Sequence, residues 1–383
     1  MSRIVDGPYE IVENVMTAEL RLDLAALEHN TELMARWCRE RDLELCPHIK
    51  TTMTWEIVER QLAAGAWGVT VATVDQAEVA LEWGVRRIMI ANEVVDEAGL
   101  ARIRAWLETV AGLELYAFTD SAVGLARVVA ALEGVRTPLR LLVDVGAEGC
   151  RTGVRSAGAA SALGRAVATA PGCVTLAGVA AYEGVRPNRR DPATLAAVTG
   201  HCRTAAAAFR ALAPLVTAGP PVFTIGGSAF PDLAADACRE PGERSPGREP
   251  VRVLRSGCYV THDHGTYQQV TPVPGLRPAL TVRAVVVSVP EPGLAVVGAG
   301  KRELPHDAGL PVLVGPPGAA GTATQIFDHH LVLTDASGLA VGDVVQLGIS
   351  HPCSAFDKWP EIGVVAPDGS VHETWRPRFR PGG

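Results

Sequence analysis

The sequence has 383 residues, of which 48% are hydrophobic, 20% charged and only 5% aromatic, and its formal net charge is −7. This length can bury a large core and predicts two domains, one of them the size of a barrel. With no block rich in Lys and Arg, the chain is not expected to bind nucleic acid.

The first fifteen residues do not combine a basic start with an apolar run, so we expect no signal peptide. No apolar stretch reaches the roughly 20 residues that span a bilayer, so we expect no membrane partner. The eight cysteines are scattered without paired spacing, which is typical of reduced thiols. Together these features predict a cytoplasmic protein.

Short apolar runs alternate with helical stretches from residue 43 to residue 260. The runs are 43–49, 67–73, 86–92, 113–119, 139–145, 174–182, 222–227 and 251–260. Between them the apolar residues recur at three- and four-residue spacing, which predicts helices. Strands that are apolar on both faces and alternate with helices indicate a parallel sheet covered by helices.

Eight such units predict an α/β fold of the (β/α)₈ TIM-barrel type, here assigned to residues 1–265. A doubly wound open sheet is the rival fold, and it usually carries a Gly-rich turn after its first strand. This chain has Lys50, Thr51 and Thr52 there instead. We therefore favour the barrel.

The pattern changes after residue 265, and residues 266–383 are predicted to form a second, mostly antiparallel β domain. Val-rich runs separated by turn signals replace the helices; they are 279–289, 293–300, 329–334, 343–350 and 361–367. About the first 20 residues are expected to pack on this domain. The Pro/Gly-rich stretches 239–250 and 313–322 are predicted surface loops.

In a barrel of this type the carboxyl ends of the strands face the active site. The predicted ends supply polar residues and a single lysine; they are Lys50, Thr73, Asn92, Asp120, Asp144, Tyr182, Glu183, 226–228 and 256–259. A lysine in a site with little water can act as a Schiff-base nucleophile. Taken alone, such a lysine is more often a solvated charge.

Glycine and serine mark the ends of the seventh and eighth strands, at Gly226-Gly227-Ser228 and Ser256-Gly257. Barrel loops at these two positions often bind phosphate, because glycines let backbone N–H groups approach an anion. Either sequence alone is more often only a turn. Together with Lys50 on the first strand they indicate pyridoxal phosphate, an aldehyde that carries a phosphate.

A third pattern, His351-Pro352-Cys353, follows a β run in the second domain. Residues two apart on a strand point to the same side, so both side chains can bind one metal. A thiolate with an imidazole favours Zn²⁺, with Mn²⁺ or Mg²⁺ as alternatives. The alternative without a metal is a buried cysteine beside a surface histidine. His329-His330 and the run 261–264 are weaker candidates for the site.

These residues resemble the alanine-racemase-like, fold-type III pyridoxal-phosphate enzymes, in the branch of D-serine dehydratase and D-threonine aldolase. The resemblance rests on motifs in chain order, which are 47–51, 61–66, 72–73, 77–78, 144–146, 151–154, 182–184, 226–228, 255–259, 299–301, 342–343 and 351–353. One departure is Lys50-Thr51-Thr52-Met53, where many members read Lys-Thr-His. That departure and the segment 350–359 resemble a subgroup labelled amino-acid deaminase.

The resemblance implies a role for each candidate residue. Lys50 is the catalytic residue and carries the cofactor as a Schiff base. The cofactor's phosphate is surrounded by Gly226, Gly227, Ser228, Gly257, Cys258 and Tyr259. Arg151 and Tyr182 lie beside its pyridine ring, and His351 and Cys353 bind the metal that contacts the substrate's β-hydroxyl. Enzymes of this type are usually dimers, so a homodimer is expected.

The resemblance predicts a lyase that converts a small D-β-hydroxy amino acid to a 2-oxo acid and ammonia. A retro-aldolase that yields glycine and an aldehyde is the first alternative. A racemase needs a second base and no metal, so His351 and Cys353 count against it. A non-catalytic carrier of pyridoxal phosphate is a lone barrel, and the second domain counts against that.

Overall fold

The computed structural model describes residues 18–239, 249–366 and 369–382. Within them, eight parallel strands form a ring, in which the strands from the second to the eighth pair consecutively in chain order. These strands are β2 (Glu44–Leu45), β3 (Val69–Val71), β4 (Arg87–Glu93), β5 (Glu114–Thr119), β6 (Leu139–Val145), β7 (Val174–Tyr182), β8 (Val222–Gly226) and β9 (Val251–Leu254). The last strand, β9, pairs in parallel with β2.

Backbone contacts at the end of β2 close the ring against β3. Trp67 N–H donates to the Leu45 carbonyl at 2.8 Å, and Thr70 N–H donates to the Pro47 carbonyl at 2.9 Å. His48 also forms a parallel bridge with Thr70. The predicted (β/α)₈ barrel is thus confirmed.

Both faces of the ring strands are buried, as the apolar runs predict. On β5, Leu115 and Ala117 pack outward in the large core shared with the helices. Tyr116 and Phe118 alternate with them and join the separate cluster inside the barrel. Burial on both faces explains why the barrel strands have no polar alternation along their length.

Helices cover the outside of the ring. They are α1 (Leu24–Arg39), α2 (Trp55–Ala63), α3 (Val74–Glu82), α4 (Glu97–Thr109), α5 (Ala122–Ala131), α6 (Ala157–Ala168), α7 (Pro192–Leu212) and α8 (Pro231–Arg239), and a short α9 (Thr266–Val270) follows the ring. Several begin after a side chain that accepts a backbone N–H of the first turn, as Asp96 does for α4. Such caps fix where each strand-to-helix loop ends.

The second sheet contains the remaining strands. They are β1 (Ala18–Asp23), β10 (Leu280–Glu291), β11 (Leu294–Val297), β12 (Val312–Gly315), β13 (Ala320–Ile326), β14 (Leu331–Ser337), β15 (Val344–Gly348), β16 (Ile362–Val365) and β17 (Val371–Trp375). Among the described strands of this sheet only β1 and β16 pair in parallel. The prediction of a mostly antiparallel second sheet is confirmed.

Three details of the sequence prediction are corrected. The predicted loop 313–322 contains most of β12 and the start of β13, because the turn signals occupy only the few residues between them. The predicted strands 43–49 and 251–260 end at Leu45 and Leu254, and each is followed by a short 3₁₀ helix. Of the other predicted loop, residues 240–248 lie outside the described residues.

Within the described ranges, no helix is both long and apolar enough to cross a bilayer.

Candidate functional site

A cavity opens at the carboxyl ends of the barrel strands and is bounded on one side by the second sheet. Most of the residues singled out in the sequence line it, namely Lys50, Asn92, Asp144, Arg151, Tyr182, Gly226, Gly227, Ser228, Gly257, Cys258 and Cys353. They come from separate strands of the ring and from the loop after β15. The fold therefore brings together groups that lie up to three hundred residues apart in sequence.

Lys50 lies in the 3₁₀ helix Ile49–Thr51 that follows β2. Its neighbours Ile49 and Thr51 are buried, whereas Lys50 is half-buried and lines the cavity. Thr52 N–H donates to the Ile49 carbonyl at 3.0 Å and closes this turn. A short turn anchored on both sides by buried residues holds the lysine at the barrel mouth.

Two further residues, His48 and Arg255, line the cavity although they were not predicted from the sequence as site residues. His48 is half-buried, burial lowers the pKa of its imidazole well below the ordinary value, and its buried Nδ1 has no hydrogen-bond partner. Arg255 is also buried; its Nη1 donates to the Thr224 hydroxyl at 2.6 Å and its Nη2 to the Ala181 carbonyl at 2.7 Å. Arg255 follows β9 directly and His48 follows β2 after two residues, and this position is the signal that could have identified them.

Backbone approaches closely at the glycines opposite Lys50. A Cβ atom at Gly227 would overlap the Glu183 carboxylate, and one at Gly257 would overlap the His48 carbonyl oxygen. The Ser256 hydroxyl donates to the Gly227 carbonyl and links the two loops. Because a glycine has no side chain, an anion can approach its backbone N–H group closely. In addition, α8 begins three residues after Ser228. These features suit a phosphate group.

Glu183 lies beneath this glycine loop and is fully buried, although the sequence placed it at a strand end. Burial raises the pKa of its carboxyl group from 4.5 to about 8. The folded protein therefore holds a proton that the unfolded chain releases at lower pH. A neutral carboxyl beneath the loop leaves the anion site free of a competing negative charge.

We expect Glu183→Gln to become more stable than the wild type as pH rises. Because the folded carboxyl has the higher pKa, wild-type stability is complete below about pH 4.5 and falls as pH rises towards 8. The slope is at most about 1.4 kcal/mol per pH unit. Urea unfolding of both proteins between pH 5 and 8 measures the difference. Parallel pH profiles would show that Glu183 is not a buried neutral acid.

Arg151 and Tyr182 lie together at the cavity, with the guanidinium carbon 5.3 Å from the centre of the tyrosine ring. Of two acidic groups nearby, Asp144 lines the same cavity and Glu93 lies outside its lining. Burial raises the pKa of Asp144, which accepts from the Thr152 hydroxyl at 3.0 Å. Burial, followed by the charge of Asp144, raises the pKa of Glu93 to about 7. The cavity thus has a cationic and an acidic side.

A group of metal-capable side chains forms the wall next to the second sheet. One ligand atom each from Cys258, His351 and Cys353 lies within 4.8 Å of the others. His351 Nδ1 lies 2.7 Å from one carboxylate oxygen of Asp307, Oδ2. The Ser354 hydroxyl donates to the other oxygen, Oδ1, at 2.8 Å. A carboxylate on Nδ1 fixes the imidazole and leaves its other nitrogen for a metal.

Other candidates do not reach the cavity. The Tyr259 side chain points away from it, and its hydroxyl accepts from Gln61 Nε2 at 2.9 Å. Thr73 caps α3, and Asp120 accepts from the backbone of Gly153. His329 is exposed and pairs with Glu303. In the run 261–264, Asp263 accepts backbone N–H groups at the start of α9, so this run is a hydrogen-bonded loop.

The residues present fit the two groups that the sequence indicates. A lysine faces a glycine-rich loop across the cavity, and the buried Nδ1 of His48 is a polar atom that lacks a partner. Buried polar atoms in proteins normally have partners, so an unpaired one beside a cavity suits a polar ligand. Two sulfur atoms and an imidazole suit zinc or another thiophilic metal.

Two family models match the chain. The model for the alanine racemase N-terminal domain matches residues 22–229, and the model for a putative serine dehydratase domain matches residues 279–365. The first match covers more than half of the chain. The first includes the cavity residues from Lys50 to Ser228, and the second includes both His351 and Cys353, whereas Arg255, Gly257 and Cys258 lie between the two matched ranges.

Several characterised proteins are similar along nearly the whole chain. A 3-hydroxy-D-aspartate aldolase of Paracoccus denitrificans is 26% identical over 94% of this chain and 91% of its own. A D-threo-3-hydroxyaspartate dehydratase of Delftia sp. is 25% identical over 92% and 95%. The crystal structure of D-threonine aldolase from Filomicrobium marinum superimposes with a TM-score of 0.81 at 27% identity, over 94% of each chain.

Proposed function

Since this chain belongs to the family of the alanine racemase N-terminal domain, we propose that it is a pyridoxal-phosphate-dependent lyase acting on a small D-β-hydroxy amino acid. We further propose that it removes water and yields a 2-oxo acid and ammonia. The observation that carries this proposal is the Cys258, His351 and Cys353 group in the wall of the cavity that Lys50 lines.

When bound, pyridoxal phosphate supplies an electron sink for charge at the substrate's Cα, and a zinc ion supplies a Lewis acid for the β-hydroxyl. Lys50 Nζ would hold the cofactor through its aldehyde, and the same amine would be placed to take the proton from the substrate's Cα. The backbone N–H groups of 226–228 and Gly257 would hold the phosphate. The ring would lie near Arg151 and Tyr182.

His351 and Cys353 would hold the metal. Asp307 supports this role, because it fixes the ring of His351 from the side away from the cysteines. Thiolate and imidazole ligands favour zinc over manganese and magnesium. The second sheet would thus supply the group that acts on the β-hydroxyl, and the barrel would supply the group that acts on Cα.

The substrate class rests on the relatives, which act on 3-hydroxy-D-aspartate or D-threonine according to their names. These relatives include both aldolases and a dehydratase. Retro-aldol cleavage is therefore a specific second candidate. The match of residues 279–365 to the serine dehydratase model favours loss of water.

The products separate these reactions. We expect the enzyme loaded with pyridoxal phosphate and zinc to release ammonia and a 2-oxo acid in equal amounts from a D-β-hydroxy amino acid. The assay uses both stereochemical series of serine, threonine and 3-hydroxyaspartate, and measures ammonia, 2-oxo acid, glycine and aldehyde together.

Equal amounts of glycine and aldehyde would replace the proposal by retro-aldol cleavage. Turnover confined to the L series would contradict the proposed stereochemistry. A protein that binds the cofactor but releases no product from any of these compounds would be a carrier. The proposed homodimer is measured separately, by sedimentation of the loaded protein.

A further inference from the structure

Two cysteines, one after the last barrel strand and one after a strand of the second sheet, meet beside the candidate active site. Cys258 Sγ and Cys353 Sγ are 3.2 Å apart although they are 95 residues apart in sequence. Cys258 lies in the 3₁₀ helix after β9 of the barrel, and Cys353 in the 3₁₀ helix after β15 of the second sheet. The fold, and not a local motif, creates this contact.

Polar and aromatic side chains lie beside the sulfur pair and the neighbouring His351. The Thr51 hydroxyl lies 3.9 Å from both sulfur atoms, one residue after Lys50. The Tyr267 ring lies 5.7 Å from the ring of His351, and Asp307 fixes that imidazole from outside. Cys258, His351 and Cys353 therefore point at one small volume from three directions.

The spacing of the three ligand atoms suits tetrahedral coordination. Two thiolates bound to one tetrahedral zinc ion at about 2.3 Å lie roughly 3.8 Å apart, so binding requires the sulfurs to separate by about half an ångström. A disulfide requires about 2.05 Å and is not present here. Catalytic zinc sites commonly use three protein ligands and leave one position open.

We propose that Cys258 is a third protein ligand of the metal, so that the site is Cys258, His351 and Cys353 with one open position. This inference rests on the proposed function and changes two parts of it. A second thiolate strengthens the preference for zinc over oxygen-seeking ions. A single open position leaves room for one oxygen atom, the β-hydroxyl of the substrate, and for no second ligand from it.

The sulfur count at the metal tests the inference without any activity measurement. In the zinc-loaded holoenzyme, we expect the X-ray absorption spectrum at the zinc edge to contain two sulfur neighbours at about 2.3 Å and an imidazole. Cys258→Ser should reduce the count to one sulfur and retain the imidazole. Zinc affinity, measured by competition with a chelator, should fall by about 100-fold or more.

Two further variants keep the result interpretable. Cys202→Ser changes a buried cysteine of α7 far from the group and should leave both the spectrum and the affinity unchanged. Cys258→Ala repeats the test with a side chain that cannot bind metal, and circular dichroism confirms that each variant is folded. A Cys258→Ser spectrum that still contains two sulfurs would overturn the inference.

The inference and the proposed function fail in different ways. One sulfur in the wild type, lost in Cys353→Ser but not in Cys258→Ser, would remove Cys258 from the site and leave the proposed lyase intact. A wild type that binds no zinc would overturn both the three-ligand site and the metal-assisted reaction.

Discussion

Replacing Lys50 by alanine is expected to abolish the visible absorption of the lysine-bound cofactor and to lower activity by at least about 10³-fold. The reason is that, in the proposed function, the lysine amine forms the bond to the cofactor aldehyde and also takes the proton from Cα. Spectra of the purified variant, titrated with pyridoxal phosphate, measure the first effect. The product assay measures the second.

The chain offers a matched control, because Lys301 and Lys358 are its only other lysines. Lys301 is exposed, and Lys358 Nζ donates to the Lys301 carbonyl at 2.9 Å; neither lines the cavity. Lys301→Ala should keep both the absorption and the activity. Borohydride reduction followed by peptide mass analysis should place the cofactor on Lys50, and a label on either other lysine would contradict the assignment.

Replacing Cys353 by alanine is expected to lower activity on the order of 10³-fold while cofactor absorption stays nearly unchanged. The loss of a thiolate ligand removes the metal from the β-hydroxyl, whereas Lys50 and the glycine loops remain in place. Treatment of the wild type with a chelator should have the same effect. Added zinc should restore the chelated wild type but not the variant.

Cys173→Ala provides the control for this experiment, since Cys173 is buried among barrel residues away from the cavity. It should keep its zinc dependence. Equal activity in the chelated and the zinc-loaded wild type would remove the metal from the proposed reaction. A Cys353→Ala variant that also loses cofactor absorption would instead place Cys353 in cofactor binding.

The barrel could be predicted because its strands are apolar on both faces and its helices are not. That contrast gives each run of the sequence a distinct pattern, and the observed strands β2–β9 fall inside the predicted runs except for Glu93 at the end of β4. The strands of the second sheet were harder to predict from the sequence. Its strands β12 and β13 flank a turn rich in Pro and Gly, and these turn residues obscured the short strands on either side.

The site could be predicted in part, for a similar reason. Residues that follow a ring strand share one end of the barrel, so Lys50, Tyr182 and Gly226 could be placed together from sequence. The direction of each side chain and the contacts between distant parts of the chain could not be predicted. Tyr259 follows Cys258 directly, yet its side chain points away from the cavity while Cys258 meets Cys353.

The pairing of β1 has a consequence for how the protein is made. This strand is translated before the barrel strands, but its partners β10 and β16 are translated only after the whole barrel, and Leu22 pairs with Leu280. A nascent chain that has completed the barrel still carries β1 with both edges unpaired, which is a risk for aggregation. The residues up to β16 must therefore leave the ribosome before β1 can pair on both edges and the wall containing Cys353 can cover the barrel mouth.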